Sequence, residues 1–79
     1  MTRPILEITP RRVAFLAAIR DRRVVTAGGH VFRVDDTGRW VATHDAREAL
    51  DAGWAMLPPG TTVWVLTELG LTVLEGSAS

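Results

Sequence analysis

The chain has 79 residues, enough for one small domain, and its nine arginines are balanced by nine carboxylates; zero net charge argues against strong non-specific binding to nucleic acid. It has no cysteine, which removes both a disulfide framework and a cysteine zinc site. An apolar fraction of 47% implies either a dense core or an apolar patch for a partner. No apolar run approaches the ~20 residues of a membrane span, and no signal peptide is visible. The expectation is a cytoplasmic protein without membrane contact.

The charge is unevenly spread. Lysine is absent, and an all-arginine basic set points to a GC-rich coding sequence. Residues 1–23 hold six arginines against Glu7 and Asp21. Residues 35–79 hold two arginines against seven carboxylates. A basic front end is therefore joined to an acidic second half.

Residues 1–8 read as an N-terminal arm. Thr9-Pro10 is a helix start: Thr9 caps, Pro10 takes the first helical position, and Ile8 can staple against Val13. The helix runs to about Arg20, with Val13, Phe15, Leu16, Ala17 and Ile19 as its apolar stripe and Arg11, Arg12 and Arg22 off it. Val24-Val25-Thr26, Val31 to Val34 and Arg39 to Ala42 read as three short strands. Ala27-Gly28-Gly29 and Asp35 to Gly38 are the turns between them. This β-meander stands where a helix-turn-helix has its second helix.

Asp45 with Glu48 three residues on is a capping box. It predicts a helix over residues 45–52 with Ala46, Ala49 and Leu50 on one face and Leu50 at the centre of its packing on the first helix. Gly53 sits where a left-handed C-terminal residue belongs. Trp54 to Leu57 is a strand by alternation, with Trp54 and Met56 on one side. Pro58-Pro59-Gly60 is a turn, and Thr62 to Leu66 is a β-branched and aromatic strand. Thr67 caps a closing helix through Leu69, Val73 and Leu74 that ends at Gly76. Residues 76–79 read as a disordered tail. The class is α+β, with three helices near residues 10–20, 45–52 and 68–75.

Ala49-Leu50-Asp51-Ala52-Gly53-Trp54, followed by Val63-Trp64-Val65-Leu66-Thr67-Glu68-Leu69-Gly70 and Val73-Leu74, resembles the C-terminal half of small bacterial and phage winged helix-turn-helix proteins. Thr9-Pro10-Arg11-Arg12 with Phe15-Leu16 is similar to their first helix. The departure is Val24 to Ala42, which lacks a second helix. The resemblance implies a winged-helix-like domain over residues 9–75, with a C-terminal β-hairpin as the wing. It also implies double-stranded DNA as partner, the 45–52 helix in the major groove, the Pro58 to Thr62 loop as wing and a role in transcription regulation.

The candidate DNA-binding residues are Arg11, Arg12, Arg22 and Arg23 toward phosphate, with Arg20 in the same group, and Arg47 on the reading helix. The second helix also shows Glu48 and Asp51, a poor face for phosphate, and the wing has no arginine. The bland reading of Arg47 is an i,i+4 surface pair with Asp51. For Arg20, Arg22 and Arg23 it is favourable charge at a helix C-terminus. The alternative function is a winged-helix-like protein-interaction module without DNA binding, for a protein partner or a second copy. Trp40, Trp54 and Trp64 bear on it: at least two are expected in the core, and an exposed one favours an interface.

Asp36-Thr37-Gly38 matches the aspartic-protease triplet, but Asp35 before it and Arg39-Trp40 after it fit a hairpin turn. His30 and His44 lack metal-ligand spacing. The only serines are in the tail, and no nucleophile–base pair stands out. No enzyme activity, cofactor, metal or small-molecule ligand is expected.

Overall fold

Thr9 opens the first helix as its sequence predicts: its Oγ1 accepts from the Arg12 amide at 3.2 Å, and Pro10 occupies the first turn. The structure is a computed structural model that describes residues 7–78; most of the expected N-terminal arm, residues 1–6, lies outside the described residues. In chain order the elements are α1 (Pro10–Arg20), β1 (Val24–Ala27), β2 (His30–Asp35), β3 (Gly38–Val41), α2 (Thr43–Asp51), β4 (Ala55–Met56), β5 (Val65–Leu66) and α3 (Glu68–Ala78). Strands β1, β2 and β3 form one antiparallel sheet in that order, and β4 and β5 form a second. The fold is α+β, with the predicted meander between α1 and α2.

The meander and the closing helix stand where the residues predict them, but the β4–β5 hairpin is not C-terminal, so the order departs from the expected winged-helix plan. Helix α1 leads straight into three strands, and a full helix follows the β4–β5 hairpin. The cause is local. Val24 to Thr26 is β-branched, and glycine turns set both hairpins: Gly28, Gly29 and Gly38 all take positive φ.

Helix α1 ends without a glycine. The Arg22 amide bonds to the Ile19 carbonyl and the Arg23 amide to that of Ala18, at 3.0 and 2.9 Å. This is a Schellman closure in which Arg22 holds the left-handed position at φ 61°. Helix α2 closes the same way, with the glycine the sequence predicts: Gly53 at φ 79° donates to Leu50, and Trp54 donates to Ala49.

The start of α2 corrects the capping box. The helix begins at Thr43, its N-cap is Ala42, and no side chain caps it. Asp45 and Glu48 thus lie inside the helix rather than at its cap, and their carboxylates turn to Arg11 and Arg12 of α1. Thr43 Oγ1 accepts from the Val31 amide at 3.0 Å, and the Ala42 amide donates to the Val31 carbonyl at 2.8 Å. Helix α2 is thereby an extension of the β2–β3 hairpin.

The buried face of α2 is made of alanines. Ala42, Ala46, Ala49 and Ala52 are all in the core, whereas Leu50 is 48% exposed. Leu50 therefore does not sit at a helix–helix centre. It lies about 100° round the helix from Ala49, and the small residues let α2 approach β2 and β4 closely. The rest of the core is Phe15, Leu16 and Ile19 of α1, Val24, Val31, Trp54, Ala55, Trp64 and Leu74.

The segment before β5 joins both sheets. Val63 bridges Val25, the Thr26 amide donates to the Thr62 carbonyl at 2.7 Å, and the Trp64 amide donates to Val24 at 2.9 Å. The Trp64 indole N–H reaches Thr26 Oγ1 at 2.9 Å. The expected Thr62 to Leu66 strand is thus split: its first half lies on β1 and its second half on β4. Trp54 and Ala55 are both buried while Met56 is exposed, so simple alternation fails there. The Trp54 side chain turns into the core just before a strand of only two residues.

Thr67 caps α3, with Oγ1 accepting from the Gly70 amide at 3.0 Å. The helix continues through Gly76 to Ala78, past the expected end and into the expected tail. Gly76 has no positive φ and so does not act as a stop. Ser79 lies outside the described residues.

Candidate interaction surfaces

Two arginines of the basic front end, Arg11 and Arg12, are paired with the acidic second half. Arg11 holds both oxygens of Asp45 at 3.1 and 3.2 Å. Arg12 binds Glu48 at 3.1 Å and the Glu7 carbonyl at 2.7 Å. Arg20 pairs with its neighbour Asp21 at 3.2 Å. Such partly exposed pairs add little stability, but they offset the positive charge that a phosphate would meet. The cleft that Arg11, Arg12, Asp45 and Glu48 close over leaves only about 10 Å³ of free space.

Among the described residues, Arg22, Arg23, Arg33, Arg39 and Arg47 form no ion pair. The candidate DNA-binding residues do not converge. Arg11 and Arg12 sit at the start of α1, and Arg22 and Arg23 lie beyond its end, about 15 Å along the axis at 1.5 Å per residue. Arg47 stands alone on the exposed face of α2, and no Asp51 pair forms. His44 approaches Glu48 at 3.7 Å instead.

The meander shows what sequence reasoning missed. Paired residues of an antiparallel sheet share a face. Val63 bridges Val25, Val25 pairs with Phe32, and Phe32 pairs with Val41. These four residues form an apolar row across the face opposite buried Val24 and Val31. The row opens at its β3 end: Val41 is 71% exposed and Val34 beside it 39%, whereas Val25, Phe32 and Val63 are half-buried. Arg39 lies over the Phe32 ring at 4.7 Å, and His30 meets the ring edge-on at 6.4 Å. The period-2 pattern of Val25, Phe32, Val34 and Val41 was the available signal. It was masked because both faces of β2 carry valine.

Of the three tryptophans, Trp54 and Trp64 are in the core, and Trp40 on β3 is 52% exposed. The β2–β3 turn is closed by Asp35. One oxygen accepts from the Thr37 hydroxyl at 2.6 Å and the Thr37 amide at 2.8 Å, and the other from the Trp40 indole at 3.0 Å. The Thr37 bonds, first the hydroxyl and then the amide, hold the Asp35 carboxyl below its ordinary value. The triplet Asp36-Thr37-Gly38 forms the β2–β3 hairpin turn, as its flanking residues predict.

Among the described residues no group of three or more His, Asp or Glu side chains could hold a metal, and no helix is long and apolar enough to cross a membrane. Compared with family models, curated proteins and solved structures, the chain has no match.

Proposed function

We propose that the chain is a protein-interaction module rather than a DNA-binding regulator. The observation that carries this reading is the apolar row Val63, Val25, Phe32 and Val41, which opens to solvent at Val41 with Val34 beside it, while Trp40 is exposed on the other face of β3. An apolar sheet face that carries an aromatic ring, Phe32, with Arg39 over it has the composition of an interface centre. Charge supports the same reading. Arg11 and Arg12 are engaged by Asp45 and Glu48, α2 offers Arg47 alone, and the β4–β5 loop has no cation.

The test is a titration with duplex DNA at low salt, where counterion release favours binding most. No binding is the expected result. Saturable binding at low salt, weakening with a steep salt slope, sinks the proposal.

One observation keeps DNA as a second reading. Arg22 is exposed and held in the left-handed region beside an exposed Arg23, and backbone strain concentrates at functional positions. On that reading, replacing both with alanine flattens the salt dependence by about 0.9 log unit for each phosphate the two arginines had neutralised. Arg47→Ala then alters sequence preference instead.

A further inference from the structure

The two edges of the three-stranded sheet differ. The β1 edge is covered by the segment around Val63, through the Thr26–Thr62 and Trp64–Val24 hydrogen bonds. The β3 edge has no such cover among the described residues. The Ala42 amide bonds to Val31 of β2, and bonding alternates along an antiparallel strand. Trp40, opposite Arg33, therefore also faces β2, while the N–H and C=O groups of Arg39 and Val41 point away from the sheet. Such an edge is a template for another strand unless something blunts it. No proline or bulge lies on it.

Beside this edge, on the α1 side, is a recess of about 240 Å³ lined by Arg11, Phe15, Arg33, Trp40 and Asp45 among others. Its one carboxylate is held by Arg11. Arg33 is half-buried and, among the described residues, has no hydrogen bond or ion pair from its side chain. Asp35 is near, but its oxygens accept from Thr37 and Trp40. Arg33 and Asp35 feel each other's charge, but a partly desolvated guanidinium whose N–H donors make no bond to a carboxylate is a ready seat for one.

We propose that the β3 edge takes up an extended acidic peptide segment as an added strand, with one carboxylate seated on Arg33. This rests on the interaction-module reading and names the partner's chemistry. The strand's backbone pairs with Arg39 and Val41. Its alternate side chains then divide as β residues do: acidic ones beside Trp40 and Arg33, apolar ones beside Val41 and the outer row. Charge favours this occupant over a second copy. An antiparallel β3–β3 pairing brings Arg39 of each copy to the same edge and supplies no carboxylate for Arg33. Main-chain pairing gives affinity and the side-chain seats give specificity.

The test uses the full chain and a capped peptide of alternating glutamate and valine, followed by amide NMR. The expected result is saturable shifts at the Arg39 and Val41 amides. Arg33→Gln should weaken binding on the order of tenfold, the effect typical of removing one charge-assisted bond. Val41→Pro, which removes an outward N–H, should abolish binding. The alternating lysine–valine peptide should not bind. The proposal is overturned by an absence of saturable shifts, by equal binding of the lysine peptide, or by wild-type affinity in Arg33→Gln. It is also overturned if the β3 amides shift with protein concentration alone, which places a second copy on the edge. If the peptide fails and duplex DNA also stays unbound, only the edge site falls. If duplex DNA binds, the interaction-module reading falls with it.

Discussion

Gly70 lies inside α3, where alanine should be the better residue by about 1 kcal/mol, yet Gly70→Ala should destabilise the domain. A Cβ at this position falls 1.8 Å from the Trp54 carbonyl oxygen and 2.7 Å from its carbon. Both are backbone atoms at the tight turn into β4, so neither can swing away. The start of α3 has to retreat by more than an ångström to bring the separation past 3.0 Å. That retreat strains the joint that docks the helix. Thr67 donates its amide to the Trp54 carbonyl at 3.0 Å and its hydroxyl to the Gly53 carbonyl at 2.5 Å. Overpacking costs about 1–3 kcal/mol, and two weakened hydrogen bonds cost about 1 kcal/mol each. Less the helix-propensity gain, the net destabilisation is about 2–4 kcal/mol. That is a large share of what a domain of this size has, and it corresponds to a fall in Tm on the order of 10–25 °C. A urea or thermal melt reads it directly. A Gly70→Ala variant as stable as the parent, or more so, refutes the close approach of α3 to Trp54.

Arg22→Gly should stabilise the fold by about 1 kcal/mol, because an L-residue at φ 61° is strained and glycine is not; a lower Tm than the parent contradicts the Schellman closure of α1. Leu50→Ala should change stability by less than about 1 kcal/mol, since Leu50 is 48% exposed. A cost in the range of about 2–5 kcal/mol, usual for buried leucines, would put Leu50 in the core after all. The Asp35 carboxyl should titrate below its ordinary value in the folded protein, because its bonds from Thr37 favour the charged form. A depressed folded pKa means that its contribution to stability is present above the unfolded value and disappears as pH falls through the folded one. Side-chain carbon shifts across acid pH, with Thr37→Val returning Asp35 toward its ordinary value, check both cause and sign.

Much of the fold was legible in the sequence because its signals are local. Thr9-Pro10, Gly53 and Thr67 mark helix ends through bonds that reach only a few residues, and the same short range sets the meander turns at Gly28, Gly29 and Gly38. What the sequence could not decide were choices between partners distant along the chain. Asp45 and Glu48 fit a capping box, yet they pair with Arg11 and Arg12, which lie 34 and 36 residues away. Those pairs set the charge of Arg11 and Arg12 against carboxylates of α2. The expected interior position of Leu50 was equally undecidable, because Ala49 and Leu50 are both apolar and only the closeness of β2 and β4 selects the smaller one. The candidate site follows the same division. Arg11, Arg12, Arg22, Arg23 and Arg47 were visible as charges, but their neutralisation and dispersal depend on how α1 meets α2. The apolar row from Val63 to Val41 draws on segments that meet only once the strand before β5 reaches back to β1. Its existence, and the open edge beside Arg33, were decided by tertiary structure alone.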